Sequence, residues 1–190
     1  MMALMPRQIF DFDPPDSFAP DAVGDPGDRT FYLRARAGGR TVTVSLEKVQ
    51  VALLAERIVA LLNEVRRRGI EVGSEARQMP DASIAADESA IVSEDFRAGT
   101  LALAWEVEGG RVMVEAREMR PDTEDEPDEI DDDDPTGPDL LRVHLAPPEA
   151  LGFVERANEI VAAGRPPCPV CGQPLDPQGH LCPRRNGYLN

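Results

Sequence analysis

Aromatic side chains are scarce in this chain: one Trp, two Tyr and six Phe make up 5 % of 190 residues. The core must therefore be aliphatic. No stretch approaches the roughly 18 consecutive apolar residues that a membrane helix needs. Residues 1–16 have Arg7 but turn acidic at once and lack an apolar centre, so no secretory leader is expected there. Cysteine occurs three times, only within the last 23 residues. That excludes a disulfide framework and suits a metal site in a reducing compartment, so a cytoplasmic protein is expected. No serine sits in a nucleophile-elbow pattern, and no glycine loop is built to cradle phosphate.

Hydrophobic residues reach 42 %, enough for one domain of ordinary size. The net charge of −15 is unevenly placed. Ten acids and no base fall within residues 122–134, and the rest of the chain carries only −5. The charge thus describes one segment more than it describes the body.

Residues 1–30 read as a short N-terminal strand, Gln8 to Phe12, and a loop rich in Pro, Gly and Asp. A body follows over residues 31–164. Phe31, Leu33 and Ala35, then Val42, Val44 and Leu46, alternate with polar residues around Gly38-Gly39, which is a β-hairpin pattern. Val51, Leu54, Ile58, Leu61 and Val65 then recur at helical spacing, so a helix is expected from about Glu47 to Arg68. Ser45 is its expected cap, and Arg66 to Arg68 with Gly69 mark its end. Residues 70–96 read as a connection, with a strand fragment near Ile70 to Val72.

Leu101, Leu103, Trp105 and Val107, then Val112, Val114 and Ala116, form a second hairpin around Gly109-Gly110. A strand, Leu140 to Leu145, and a helix from Pro147 to about Ala163 complete the body. Phe153, Val154, Ala157, Ile160 and Val161 are the expected buried side of that helix, with Gly152 a weak point inside it. Gly-Gly-Arg occurs at 38–40 and again at 109–111. The pattern predicts an α+β fold: one antiparallel sheet of two hairpin-containing halves, with two amphipathic helices on one face. Residues 122–137 form an acidic insertion, for which disorder is expected. Calcium binding there lacks the spacing of a calcium loop, and a docking arm for a basic partner is the other alternative.

The tail, residues 165–190, carries the most specific chemical signal. Cys168 and Cys171 have the two-residue spacing of a zinc knuckle, and Gly172 follows. His180 and Cys182 supply two further soft ligands. Three thiolates and one imidazole close a tetrahedron around one Zn²⁺, leaving no open position for water, so the site is structural and not catalytic. A tail this short and proline-rich would owe its fold to the metal. A redox dithiol is the alternative for Cys168-x-x-Cys171, but the βαβ setting of such motifs is missing.

Other residues carry weaker signals. Tyr32, Arg34 and Arg36 share one strand face, and with Arg184 and Arg185 in the tail they would offer nucleic acid a basic, aromatic strip. A solvated strand face is the plainer reading. His144 lies on the last strand, opposite in sense to Val143 and Leu145, and reads as a structural histidine in preference to a catalytic one. Trp105 is expected to pack in the core.

Four segments carry a family resemblance: Phe31 to Arg40, Leu46 to Ile58, Glu94 to Thr100, and Ala162 to Cys168 continuing through Tyr188. They resemble an actinobacterial family described as a domain of unknown function, DUF3090. The resemblance implies an actinobacterial cytosolic protein and brings no activity with it. The leading expectation is a non-catalytic interaction or scaffold protein with an unidentified protein partner and no membrane. Nucleic-acid binding is the second, and an enzyme using His144 or carboxylates the third.

Overall fold

The computed structural model describes residues 7–25, 27–80, 93–120, 132, 134–164 and 168–171. Along the chain run β1 (Ile9–Phe12), β2 (Ser17–Val23), β3 (Thr30–Ala37), β4 (Arg40–Leu46), α1 (Lys48–Arg67), β5 (Phe96–Glu106), β6 (Arg111–Glu118), β7 (Leu140–Leu145) and α2 (Pro147–Ala162). The strands form one sheet in the order β1-β7-β6-β5-β4-β3-β2. No helix among the described residues is long and apolar enough to cross a membrane.

Period-two alternation places one side chain in two on the same face, and register aligns them into rows. Phe18, Ala35 and Val42 form one such row across β2, β3 and β4. Phe12, Val143, Val114 and Leu103 form another across β1, β7, β6 and β5. Most of this face is buried, with Leu33, Val42, Val44, Val143 and Leu145 wholly so. Burial of each such side chain is worth about 1.5–3 kcal/mol. Both helices share this core: α1 contributes Val51, Leu54, Ala55, Ile58, Leu62 and Val65, and α2 contributes Ala150, Phe153, Val154, Ala157 and Ile160. The Phe153 ring stacks on Phe18 with centroids 5.0 Å apart.

The α+β class and the two helices match the expectation from sequence, but the sheet is mixed and not antiparallel throughout. β4 pairs with β5 in parallel, and β1 pairs with β7 in parallel. Parallel neighbours need a long crossover, and the α1 segment with the connection after it supplies one between β4 and β5. That joint is narrow, holding only Val44 opposite Phe96 and Ser45 opposite Arg97. β1 sits at one end of the strand order yet reaches the middle of the sheet. Its Phe10 ring lies 6.4 Å from that of Phe96, and the Arg40 guanidinium sits 4.4 Å over it. The sheet therefore coils strongly.

Three local readings change. Residues 17–23, expected as loop, form β2, because Pro20 is tolerated on an edge strand where its missing N–H costs no ladder bond. The cap of α1 is Glu47 and not Ser45, which lies inside β4; the Glu47 N–H donates to Gln50 Oε1 at 2.8 Å. Gly152 is a contact point and not a defect: a Cβ there would meet Arg77 O at 2.3 Å, where the segment before residue 80 crosses α2.

The two halves are real as architecture. β2-β3-β4-α1 and β5-β6-β7-α2 each run as an antiparallel meander followed by a helix. The Gly-Gly-Arg motifs are not equivalent within them, however. Residues 38–40 join the second and third strands of the first unit, whereas 109–111 join the first and second strands of the other. The acidic insertion occupies the place that Gly38-Gly39 holds in the first unit.

Candidate functional site

The tail is described only over residues 168–171, so His180, Cys182, Arg184 and Arg185 lie outside the described residues. Cys168 is 7 % exposed, and residues 169–171 form a turn that leads to the half-buried Cys171. The Val170 N–H donates to Cys168 Sγ at 3.5 Å. A backbone donor aimed at sulfur favours the thiolate over the thiol, which is the form a metal binds. Among the described residues, no group of three or more His, Cys, Asp or Glu side chains is arranged to hold a metal.

The arginine strip is placed as follows. Tyr32 is 8 % exposed and faces Asp21 and Ser45 in register. Arg34 is half-buried and Arg36 exposed. A buried ring beside an acid does not present its face for base stacking, so of the three only Arg36 meets solvent fully.

A polar cluster that was not expected from sequence joins several strands. It lies on the outer face of β1, β7, β6 and β5, built from the polar half of the same alternation that makes the core. His144, 7 % exposed, stands between two carboxylates: Nδ1 lies 2.8 Å from Glu106 Oε2 and Nε2 lies 3.0 Å from Asp11 Oδ1. Both ring nitrogens are engaged, which fits the structural reading of this residue. The Arg111 guanidinium pairs with Asp13, and its Nε lies 3.6 Å from Glu106.

Beside it, Glu115 is 5 % exposed and lies between two arginines. Arg142 donates to Glu115 Oε1 from Nε at 2.7 Å, and Arg117 reaches Oε2 at 3.3 Å. Arg142 also forks onto Asp132, at 2.7 and 3.0 Å. The hydrogen bonds that Arg142 donates to Asp132 raise its pKa further above the ordinary value, against desolvation and with help from Glu115. Reciprocally, the Arg142 hydrogen bonds hold the Asp132 carboxyl below its ordinary value, against a desolvation effect of opposite sign.

Asp132 belongs to the insertion expected to be disordered over 122–137. Residues 121–131 and 133 lie outside the described residues, but the end of the segment is held. Arg120 donates to the carbonyls of Thr136 and Gly137, Arg7 Nε donates to Pro138 O at 2.8 Å, and Asp134 accepts from the Thr136 N–H at 2.8 Å.

Cavities lined by described residues lie elsewhere. One, of about 310 Å³, opens between the start of β3, the end of β4, the first turn of α1 and Arg97; another is an open groove of about 670 Å³ beside residues 69–74. Neither contains His144, Glu115 or Arg142.

A family model described as "Protein of unknown function (DUF3090)" matches residues 10–182. The span runs to the last candidate zinc ligand and so includes the tail as well as the body. No curated protein and no solved structure matches the chain.

Proposed function

The chain belongs to the DUF3090 family, and from that premise we propose that it is a non-catalytic scaffold or interaction protein whose tail, Cys168 to Cys182, is folded by one structural zinc ion. The observation that carries the reading is the Val170 N–H donated to Cys168 Sγ across a tight turn to Cys171. Cys168 and Cys171 would supply the first two ligands from that turn, and His180 and Cys182 the second pair. With all four positions filled by protein, the metal would supply a crosslink and no Lewis-acid chemistry. Its role would be to hold the tail in one shape against the body, ready for a protein partner.

Cobalt substitution tests the ligand set. Replacement of the metal by Co²⁺ is expected to give the intense visible bands and thiolate charge-transfer absorption of a tetrahedral site with several sulfur ligands. Cys168→Ser is expected to weaken the charge-transfer band and loosen the metal. A pale, octahedral spectrum indistinguishable between wild type and variant would overturn the assignment.

A further inference from the structure

β5 has β4 beside it only at Phe96 and Arg97, because β4 stops at Leu46 and gives way to α1. After the irregularity between Ala98 and Thr100, β5 runs regularly from Thr100 to Glu106 against β6 alone. Among the described residues, no strand pairs with the other edge of that stretch. We infer that two copies of the chain associate along this edge, their β5 strands pairing antiparallel about a two-fold axis at Leu103.

An open edge invites another strand unless the sequence blunts it. The two outermost strands of the sheet are blunted. β1 has four residues and runs into Pro14 and Pro15. β2 carries Pro20, and its Asp21 Oδ1 accepts the Ala22 N–H at 2.9 Å. Thr100 to Glu106 has no proline, glycine or lysine, and Glu106 is its one charged residue. The core row on this stretch is also incompletely covered. Val112, Val114 and Ala116 of β6 are buried, whereas Trp105, Leu103 and Leu101 opposite them are half-buried. The Trp105 indole N–H gives an independent sign, for it is buried and has no hydrogen-bond partner among the described residues. A buried donor needs an acceptor. A strand laid against this edge brings carbonyl oxygens to the Trp105 row. α1 adds apolar surface at the same edge: Gln50 donates to Gly99 O at 3.1 Å, and one turn further on Leu53 is 47 % exposed.

Register and charge identify a second copy as the occupant. A two-fold axis at Leu103 uses the whole regular stretch. It sets Leu101 against Trp105 of the other copy on the core face, and Ala102 against Ala104 on the outer face. Glu106 falls opposite Thr100 of the other copy, whose β6 neighbour in register is the cationic Arg117. The net charge of −15 opposes association, but ten of the acids lie within residues 122–134, after β6. β6 ends at Glu118, which lies opposite Ala98. Antiparallel pairing about Leu103 separates the two Ala98 positions by about ten residues along the ladder, or about 33 Å at ~3.3 Å per residue. That exceeds the Debye length of about 8 Å at physiological salt. A parallel pair would bring the two acidic segments side by side. So short a ladder makes a small interface, and the dimer should be weak and concentration-dependent.

Sedimentation equilibrium of the full chain tests the pairing. A monomer–dimer equilibrium with a Kd of about 100 µM or tighter is expected. Trp105 is the one tryptophan of the chain, so its emission reports this edge alone. The emission should move to the blue, and acrylamide quenching should fall, as the concentration passes through the same Kd. Ala102 and Ala104 lie outside the buried core, so charged side chains there can be compared directly. Ala102→Lys with Ala104→Lys sets like charges against each other across the axis and should weaken the dimer about tenfold or more. Ala102→Lys with Ala104→Glu sets opposite charges there and should recover wild-type affinity to within about threefold. Damage to the fold alone would not be repaired by the second variant, so rescue reads contact across the axis. A chain that stays monomeric throughout would leave the edge to some other strand and overturn the proposal. A dimer that the double lysine variant leaves intact, a loss that the Lys–Glu variant does not repair, or assemblies that keep growing with concentration would do the same. No tail residue belongs to β5, so the outcome is independent of the zinc reading.

Discussion

Glu115 and Arg142 face each other across β6 and β7, with Arg142 Nη2 2.6 Å from Glu115 Oε1. The carboxylate is almost fully buried, so its charge is tolerable only because guanidinium groups surround it. Glu115→Gln would keep the shape and leave Arg142 and Arg117 facing each other without their shared anion. The expected loss is about 3 kcal/mol, by the cost of breaking a buried ion pair. Urea denaturation checks it. A loss below about 0.5 kcal/mol would place this network among ordinary surface pairs.

Acid should weaken the same face. The Asp132 carboxyl titrates below its ordinary 3.8 in the folded chain. A carboxylate with a depressed folded value contributes stability that is present above the unfolded value and is lost as pH falls through the folded one. The contribution should therefore be full above about pH 5 and vanish well below pH 4. Asp132 is about half exposed, at 48 %, so screening limits the effect to a few tenths of a kcal/mol. Asp132→Asn is expected to flatten the acid limb of the stability curve slightly, and 1 M salt to mimic it. An acid limb unchanged in the variant at low salt would count against the pairing.

Gly152→Ala separates propensity from packing. On helix propensity alone, alanine should stabilise α2 by about 1 kcal/mol. The added methyl would instead meet the Arg77 carbonyl, which must move. The Arg77 N–H bonds Pro148 O at 2.7 Å, so movement there also strains a backbone bond. The expected net result is destabilisation by about 1–3 kcal/mol, with faster amide exchange at Arg77. A raised Tm would show that the segment yields freely.

Tyr32→Ala tests what the arginine strip is for. A ring 8 % exposed is a packing residue, and its loss should cost about 3–5 kcal/mol of stability. Thermal melting reads this directly. A fold of unchanged stability with lost affinity for single-stranded nucleic acid would return Tyr32 to the role of a stacking platform.

Much of this fold is legible in the alternation of apolar residues. Phe31 to Leu46 gives the first hairpin because one face must be buried and Gly38 and Gly39 supply the positive φ of its turn. Lys48 to Arg67 is legible because its apolar stripe is continuous and Arg66 to Gly69 mark its end. β2 escaped because Pro20 and Asp21 read as loop residues, and only an edge position makes them compatible with a strand. The parallel pairing of β4 with β5 escaped because the connection between α1 and β5 carries no pattern of its own, and it decides from which end β5 enters the sheet. The charged face was present in the sequence as the polar half of the same strands: Asp11 between Phe10 and Phe12, and Arg142 and His144 among Leu141, Val143 and Leu145. Which acid meets which base depends on the β1–β7 and β6–β7 registers, and spacing along one strand does not encode these.

Metal content tests the central claim most directly. Elemental analysis of the full chain, purified without chelator or added metal, should find one zinc per polypeptide, falling to a small fraction in a Cys168→Ser, Cys171→Ser double variant. Protein that folds and stays soluble with no stoichiometric metal would contradict it.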